Sequence, residues 1–347
     1  MWRRGAAAAA AIAAIGIGLA AGAPAQGADT VTISGRAYAF NHMDTFLEGA
    51  KVKVRELPGV SATTDANGDY ELELPDDTTV TPYIDPPDGY NEIDLQTFHT
   101  RGEDIENANF QTPADLEYGA LAALLDVPIG ADGRPEQCVI VTTASARNVR
   151  GVDYDTFEER TPHGVAGATA KSAPKLPKPI YFNEHVIPDA TQPSTSEDGG
   201  IIWTGVPAGS YRISTKAPGH RFAGFLATCK PGRIVNANPP WGAYELKKGE
   251  QPLRAGVAVG TVTKLDATRS LVHIGFRIAE PLQVRAVVRS HGEKVGTGAA
   301  TFGGAGRASM AFRYDESARG SAATVKLRFK DAGRGKALAV LRLKLPK

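Results

Sequence analysis

Two stretches of this chain, about 130 residues apart, spell the same plan, and the duplication constrains the fold more than any single residue. The first copy reads LEGAKVKV at 47–54, TTDANGDYELELP at 63–75 and GEDIENANF at 102–110. The second reads VAGATA at 165–170, TSEDGGIIWTGVPAGSY at 195–211 and GRIVNAN at 232–238. Each copy has a Gly-Ala strand start, an acidic glycine turn, a proline-marked second turn and an Ile-x-Asn-Ala-Asn finish.

Within the first copy, apolar residues alternate with polar ones over short runs. AKVKV sets Val52 and Val54 against Lys51, Lys53 and Arg55, and DYELEL sets Tyr70, Leu72 and Leu74 against Asp69, Glu71 and Glu73. A period of two with one apolar face predicts antiparallel strands buried on one side, as in a β-sandwich. Asn67-Gly68 tolerates positive φ and reads as a hairpin turn between two such strands.

Residues 112–126 change period. Thr112 is placed to cap a helix, Pro113 to open it and Asp115 to favour its first turn, with Tyr118, Leu121, Leu124 and Leu125 at helical spacing. One helix of about three turns is expected, packed on a sheet or between modules. Residues 137–246 return to strands, interrupted between Lys171 and Gly199 by a long proline-rich insert. A third unit at 251–347 offers strand candidates VAVGTVTKL, SLVHIGFRI, LQVRAVVR, ASMAFRY, ATVKLRF and ALAVLRLKL, which predicts an immunoglobulin-like sandwich. The glycine-rich TFGGAGRAS within it reads as a hairpin loop.

The N-terminus carries an address. Arg3 and Arg4 precede the small apolar run 6–21, and Ala23-Pro24-Ala25 supplies a cleavage site, so residues 1–28 read as a signal peptide. No later run approaches the ~20 apolar residues that span a bilayer, and the mature chain is expected to be secreted without a membrane span. Its near-neutral total hides an asymmetry: residues 29–251 carry about 19 basic against 32 acidic side chains, and residues 252–347 about 18 against 6. A basic unit can hold an anionic cell-wall polymer by long-range attraction. The plainer reading, a solvated surface or a face docked on the acidic units, is preferred at this stage. Nucleic acid is not an expected partner of an exported chain.

The chain has two cysteines, Cys138 and Cys229, both inside the second copy. An even pair within one module of an exported protein predicts a disulfide.

Gly49-Ala50-Lys51-Val52, then Thr64-Asp65-Ala66-Asn67-Gly68-Asp69-Tyr70, then Leu74-Pro75 and the closing 102–110 resemble the carboxypeptidase regulatory-like domain, a small transthyretin-like β-sandwich. The match covers 31–111 well and 137–246 more loosely, since Ser196-Glu197-Asp198-Gly199-Gly200 replaces the usual acidic turn. The resemblance implies a fold and a non-catalytic role in adhesion, stabilisation or ligand binding, and it transfers no active site.

Residue chemistry agrees. Asp65-Ala66-Asn67-Gly68-Asp69 begins like a calcium loop, but Tyr70 and Asp76 stand where glycine and glutamate are needed. Intradiol aromatic dioxygenases share the transthyretin-like sandwich and hold iron with two Tyr and two His; here His42, His99, His163, His185, His220, His273 and His291 are scattered. A His-based metalloenzyme therefore stands as a second alternative. No nucleophile elbow or phosphate-cradling loop occurs. Trp241 and Tyr244, in NANPPWGAY, are the candidate sugar contacts, with packing over the module's open end as the plainer role.

The reading is a mainly β protein of tandem transthyretin-like and immunoglobulin-like sandwiches with one short connecting helix. Its parts are a signal peptide at 1–28, a first sandwich at 29–111, a helix and linker at 112–136, a second sandwich at 137–250 and a basic sandwich at 251–347. It is expected to be an exported, non-catalytic structural, adhesion or binding protein with no cofactor and no catalytic or metal-ligating residue. A carbohydrate or wall-polymer binding accessory protein is the alternative. Any function should sit where the copies differ: the proline-rich insert, the disulfide and the NANPPW segment.

Overall fold

The computed structural model describes residues 30–250, 260–278, 282–302, 306–330 and 337–347. The expected signal peptide lies outside them. The chain is mainly β, and alternation sets the burial where it was expected: Val52, Val54, Leu72 and Leu74 are core residues, while Lys51, Glu71 and Glu73 face water.

In the first copy, the strand Thr30–Ala39 pairs antiparallel with Asp69–Pro75 and parallel with Phe110–Thr112. The facing sheet runs through Leu57–Thr63, Lys51–Val54, Pro82–Asp85 and Ile93–Asp94. The second copy repeats this with Cys138–Ser145 flanked by Gly200–Val206 and, in parallel, by Ile234–Ala237 and Ala243–Tyr244. Thr169–Ala173, Gly209–Ala217 and Phe225–Cys229 lie in its facing sheet.

The duplication extends to single hydrogen bonds. Buried Thr64 Oγ accepts from Ala50 N at 2.9 Å and donates to Leu47 O, while Thr64 N donates to Ala50 O and Gly49 N to Thr64 O. Buried Thr195 does the same with Ala168 N at 2.8 Å, Val165 O at 2.7 Å and Gly167 N. Each threonine clasps its Gly-Ala turn and satisfies backbone groups that burial would otherwise strand. Gly49 and Gly167 share φ +76°, a region open to glycine at little cost.

The turn at Asn67-Gly68 is not the expected hairpin. Leu57–Thr63 pairs with Lys51–Val54 in one sheet, whereas Asp69–Pro75 pairs with Thr30–Ala39 in the other. The turn is an arch that carries the chain across the sandwich. Asp65 Oδ1 accepts from Asn67 N and Asp69 N, and Gly68 sits so close to Ala37 O that a Cβ would lie 2.3 Å from it. Gly199, at φ +78° against Ala144 O, holds the equivalent place.

The helix is Asp115–Leu124, and Thr112 does not cap it. Thr112 ends a strand instead, its carbonyl accepting from Phe40 N, and Ala114 takes the N-cap position without a side-chain bond. Leu124 is 56% exposed and so lies off the packed stripe, which Ala122 and the half-buried Tyr118 and Leu121 form.

Strands also join the copies to each other. Ile234–Ala237 pairs in parallel with Ile93–Asp94 through Val235 and Asp94, so the facing sheet of the first copy continues into the principal sheet of the second as ten strands. Ala223, Ile234, Trp241, Tyr244 and Leu246 of the second copy pack into the core of the first.

The third unit has two antiparallel sheets around its own core. One is Gly260–Ala267, Leu271–Ile278 and Gly306–Arg313; the other is Glu293–Phe302, Leu282–Ser290, Ala322–Lys330 and Ala337–Lys344. This three-plus-four antiparallel arrangement is that of an immunoglobulin-like sandwich. The strands either side of the TFGGAGRAS glycines lie in different sheets, so this connection too is a crossover rather than the expected hairpin.

Candidate functional site

The two expected sugar contacts are core residues. Trp241 is 6% exposed and Tyr244 2%, and their rings meet edge to face at 82° instead of presenting a coplanar platform. Trp241 Nε1 donates to Glu106 O at 2.7 Å, and its ring stands edge-on to Phe98 at 5.1 Å. The second copy uses this indole to close the first copy's core, which corrects their reading as ligand contacts. Cys138 and Cys229 form the expected disulfide, with Cα atoms 5.5 Å apart, linking the two sheets of the second sandwich.

The same closing segments bind each other. Asn236 Nδ2 donates to Gln111 O at 3.0 Å, Asn238 Nδ2 to Asn109 O at 3.4 Å, and Gly242 N to Gln96 Oε1 at 2.8 Å. The Asn-Ala-Asn finish of the second copy thus lies on that of the first. Below it runs an ion network: Arg55 meets Glu92 and Asp94, Arg134 meets Glu92 at 2.9 Å, and Arg233 approaches Asp94 at 3.3 Å. Burial works to raise the Glu92 carboxyl, yet Arg55 and Arg134 hold it below its usual range. Asp94 is buried more deeply, and desolvation raises its pKa despite Arg55.

Beside this seam a cleft of about 520 Å³ opens between the copies. Three segments of the second copy converge on it: the proline-rich insert through Phe182 and Asp198, the segment after the short helix Tyr154–Glu159 through His163, and the closing NANPP through Asn236, Asn238 and Pro239. Tyr38 and Phe40 of the first copy complete the wall. The volume is that of a small-ligand site, and its lining mixes aromatic rings with amide, hydroxyl, imidazole and carboxylate groups. Its lining includes Glu184 and Asp198 but no lysine or arginine.

The polar groups are fixed. Thr142 Oγ donates to Ala237 O at 2.9 Å, and Gly200 N donates to Asp198 Oδ2 at 2.9 Å. Gly200 is required here, because a Cβ would lie 2.5 Å from Asp198 Oδ2 and 2.6 Å from the Phe182 ring. Desolvation raises the Asp198 pKa. The His163 ring stacks on Phe157 at 4.0 Å and 20°, and its Nε2 lies 2.7 Å from Phe157 O. With Nε2–H donating there, Nδ1 of the neutral ring is an acceptor.

Burial holds the His163 pKa below its ordinary 6.5, with Phe157 O acting the other way. The unfolded chain then binds more protons below that pH, so the stability His163 contributes is complete above about 6.5 and is lost on acidification. Urea midpoints at pH 7.5 and pH 5 are expected to differ more in the native protein than in a His163→Phe variant; equal differences would remove His163 as the source.

Among the described residues no group of three or more His, Cys, Asp or Glu side chains gathers at metal-binding distance. His99 meets Asp77 at 3.0 Å and His220 meets Glu245 at 2.7 Å, each at a separate place. Spacing could not show the cleft, since its lining comes from residues 38 to 239.

No protein-family model matches the chain, and no curated protein matches it. Among solved structures it is similar to BcpA, the major pilin subunit of Bacillus cereus, at 12% identity over 60% of this chain and 67% of that one, with a TM-score of 0.18. It is similar to a tetra-tandem repeat in the extending region of a large adhesion protein, at 14% identity over 91% and 74%, with a TM-score of 0.24. A third is a Ca2+-stabilized adhesin by which an Antarctic bacterium binds ice, at 10% identity over 91% and 73%, with a TM-score of 0.19. The likeness is between β-rich chains and does not extend to an equivalent arrangement of domains.

Proposed function

We propose that this is an exported, non-catalytic binding and adhesion protein that takes a neutral, polyhydroxylated ligand, a sugar unit, in the cleft between its two copies. The composition of that cleft carries the reading. The half-buried rings of Phe40 and His163 suit the apolar face of a sugar ring, amide and carboxylate groups suit its hydroxyls, and the lack of any lysine or arginine in the lining disfavours an anion. Asn236, Asn238 and Thr142 are each already bonded to a backbone carbonyl, an arrangement that favours holding a ligand over transforming one. The buried disulfide suits an oxidising, extracellular address. The Thr64 and Thr195 clasps support membership of both copies in the carboxypeptidase regulatory-like family, with domain limits close to 29–111 and 137–250.

Calorimetric titration of the mature protein with neutral oligosaccharides tests this. Binding is expected, and Asp198→Asn and His163→Ala, checked for unchanged melting, should each weaken it by about tenfold, the loss of one good polar contact. Absence of binding to every neutral glycan, or binding that both substitutions leave unchanged, would reject the cleft as the site.

A further inference from the structure

The excess positive charge of the third unit is concentrated on one sheet face. In the strands Leu282–Ser290, Ala322–Lys330 and Ala337–Lys344, alternate residues point away from the core. Those positions include Arg285 and Arg289, then Lys326 and Arg328, then Arg342 and Lys344. Register makes them neighbours: Arg285 lies directly opposite Arg328, Thr324 stands between Arg289 and Arg342, and Lys326 lies between Val287 and Val340. Strands are ~4.8 Å apart and alternate residues ~6.8 Å apart along each, so the cations form a grid on the twisted sheet. No carboxylate shares this face among the described residues, and none of the six cations forms an ion pair there. The other reading of the charge, a basic face docked on the acidic units, finds no ion pair to support it among those residues.

Like charges placed directly opposite across strands destabilise a sheet, and Arg285 with Arg328 is such a pair. The fold keeps this repulsion without an internal counter-charge, and a bound polyanion would relieve it. Four of the six are arginines, whose planar forks match carboxylates in pairs. Thr324 stands between two of them and Thr297 and Thr301 border them with further hydroxyls, and among the described side chains the large apolar ones on the face are Val287 and Val340. Described side chains that are cations, hydroxyls and two valines, with no aromatic anchor among them, fit a hydrated chain better than a membrane surface. We infer that this face docks a linear, carboxylate-bearing wall polysaccharide along its grid of cations. The inference is independent of the cleft, since it rests on a different unit and on charge.

Retention of the mature protein on immobilised polygalacturonate, with dextran, anionic phospholipid vesicles and duplex DNA as comparison surfaces, is the test. Binding to polygalacturonate is expected, weakening about tenfold between low and physiological salt as screening sets in. A double Arg285→Glu, Arg328→Glu variant should lose at least about tenfold, while Arg307→Glu with Arg313→Glu, exposed on the opposite sheet, should retain most of it. Melting curves confirm folding, and Arg285→Gln with Arg328→Gln gives a milder second variant. Loss of equal size from both pairs, no binding at low salt, or tighter binding to vesicles or DNA would overturn the inference.

Discussion

Trp241→Ala is expected to destabilise the protein by about 3–5 kcal/mol, the range for removing a large buried aromatic side chain. The loss should fall on the first copy, although residue 241 belongs to the second. The indole fills the first copy's core, stands edge-on to Phe98 and satisfies Glu106 O, so truncation leaves both a cavity and a bare carbonyl. Because this contact couples the copies, the two copies should unfold in separate steps in the variant where they unfold together in the native protein. Urea titration followed separately by tryptophan fluorescence and far-ultraviolet circular dichroism would show this as midpoints that separate. Coincident midpoints with a shift under about 1 kcal/mol would mean that the indole is peripheral to stability.

Loss of the Cys138–Cys229 disulfide, by Cys138→Ala with Cys229→Ala, is expected to cost about 4–5 kcal/mol. The bridge closes a separation of 91 residues, and in the chain-entropy model a loop of that size removes this much freedom from the unfolded chain. The effect should appear mainly in the second copy, whose two sheets it links. Denaturant titration of the variant against the oxidised native protein measures it. A difference below about 1 kcal/mol would indicate that the unfolded chain is already compact without the bridge.

Much of this architecture was legible because alternation is local. The inward residues of AKVKV and DYELEL and the closing strands could be read from short windows, and the disulfide from the presence of two cysteines. Asn67-Gly68 was misread for a specific reason: turn residues encode positive φ but not which sheet receives the next strand. Here Thr64 and the Asp65 carboxylate set the exit direction, and the chain crosses between sheets. The strand Glu293–Phe302 was missed because Gly296 and Gly298 weaken its β character. Those glycines make room for Tyr314 and Phe312, since a Cβ on Gly298 would lie 2.4 Å from the Phe312 ring. The seam between the copies left no local trace at all. It consists of one parallel pairing, side-chain amides reaching across it and an indole in an apparently open Pro-Pro-Trp-Gly loop. The cleft was partly legible: the proline-rich insert and NANPPW were noted as places where the copies differ, and both reach it. The disulfide noted with them does not, and the His163 segment, the Tyr38 and Phe40 wall and their convergence had no signal in short windows.

The placement of Trp241 also sets an order of events as the chain is made. Synthesis from the N-terminus puts the first copy in the lead, and domains commonly fold as they appear. Here the first core cannot close on its own, since Ile234, Trp241, Tyr244 and Leu246 arrive roughly 200 residues after its opening strand. The leading copy must wait, with part of its apolar surface uncovered, until the trailing one has been delivered. Folding of the pair is therefore gated by the last segment of the second copy, and a chain truncated before residue 241 would be left with its first sandwich still open.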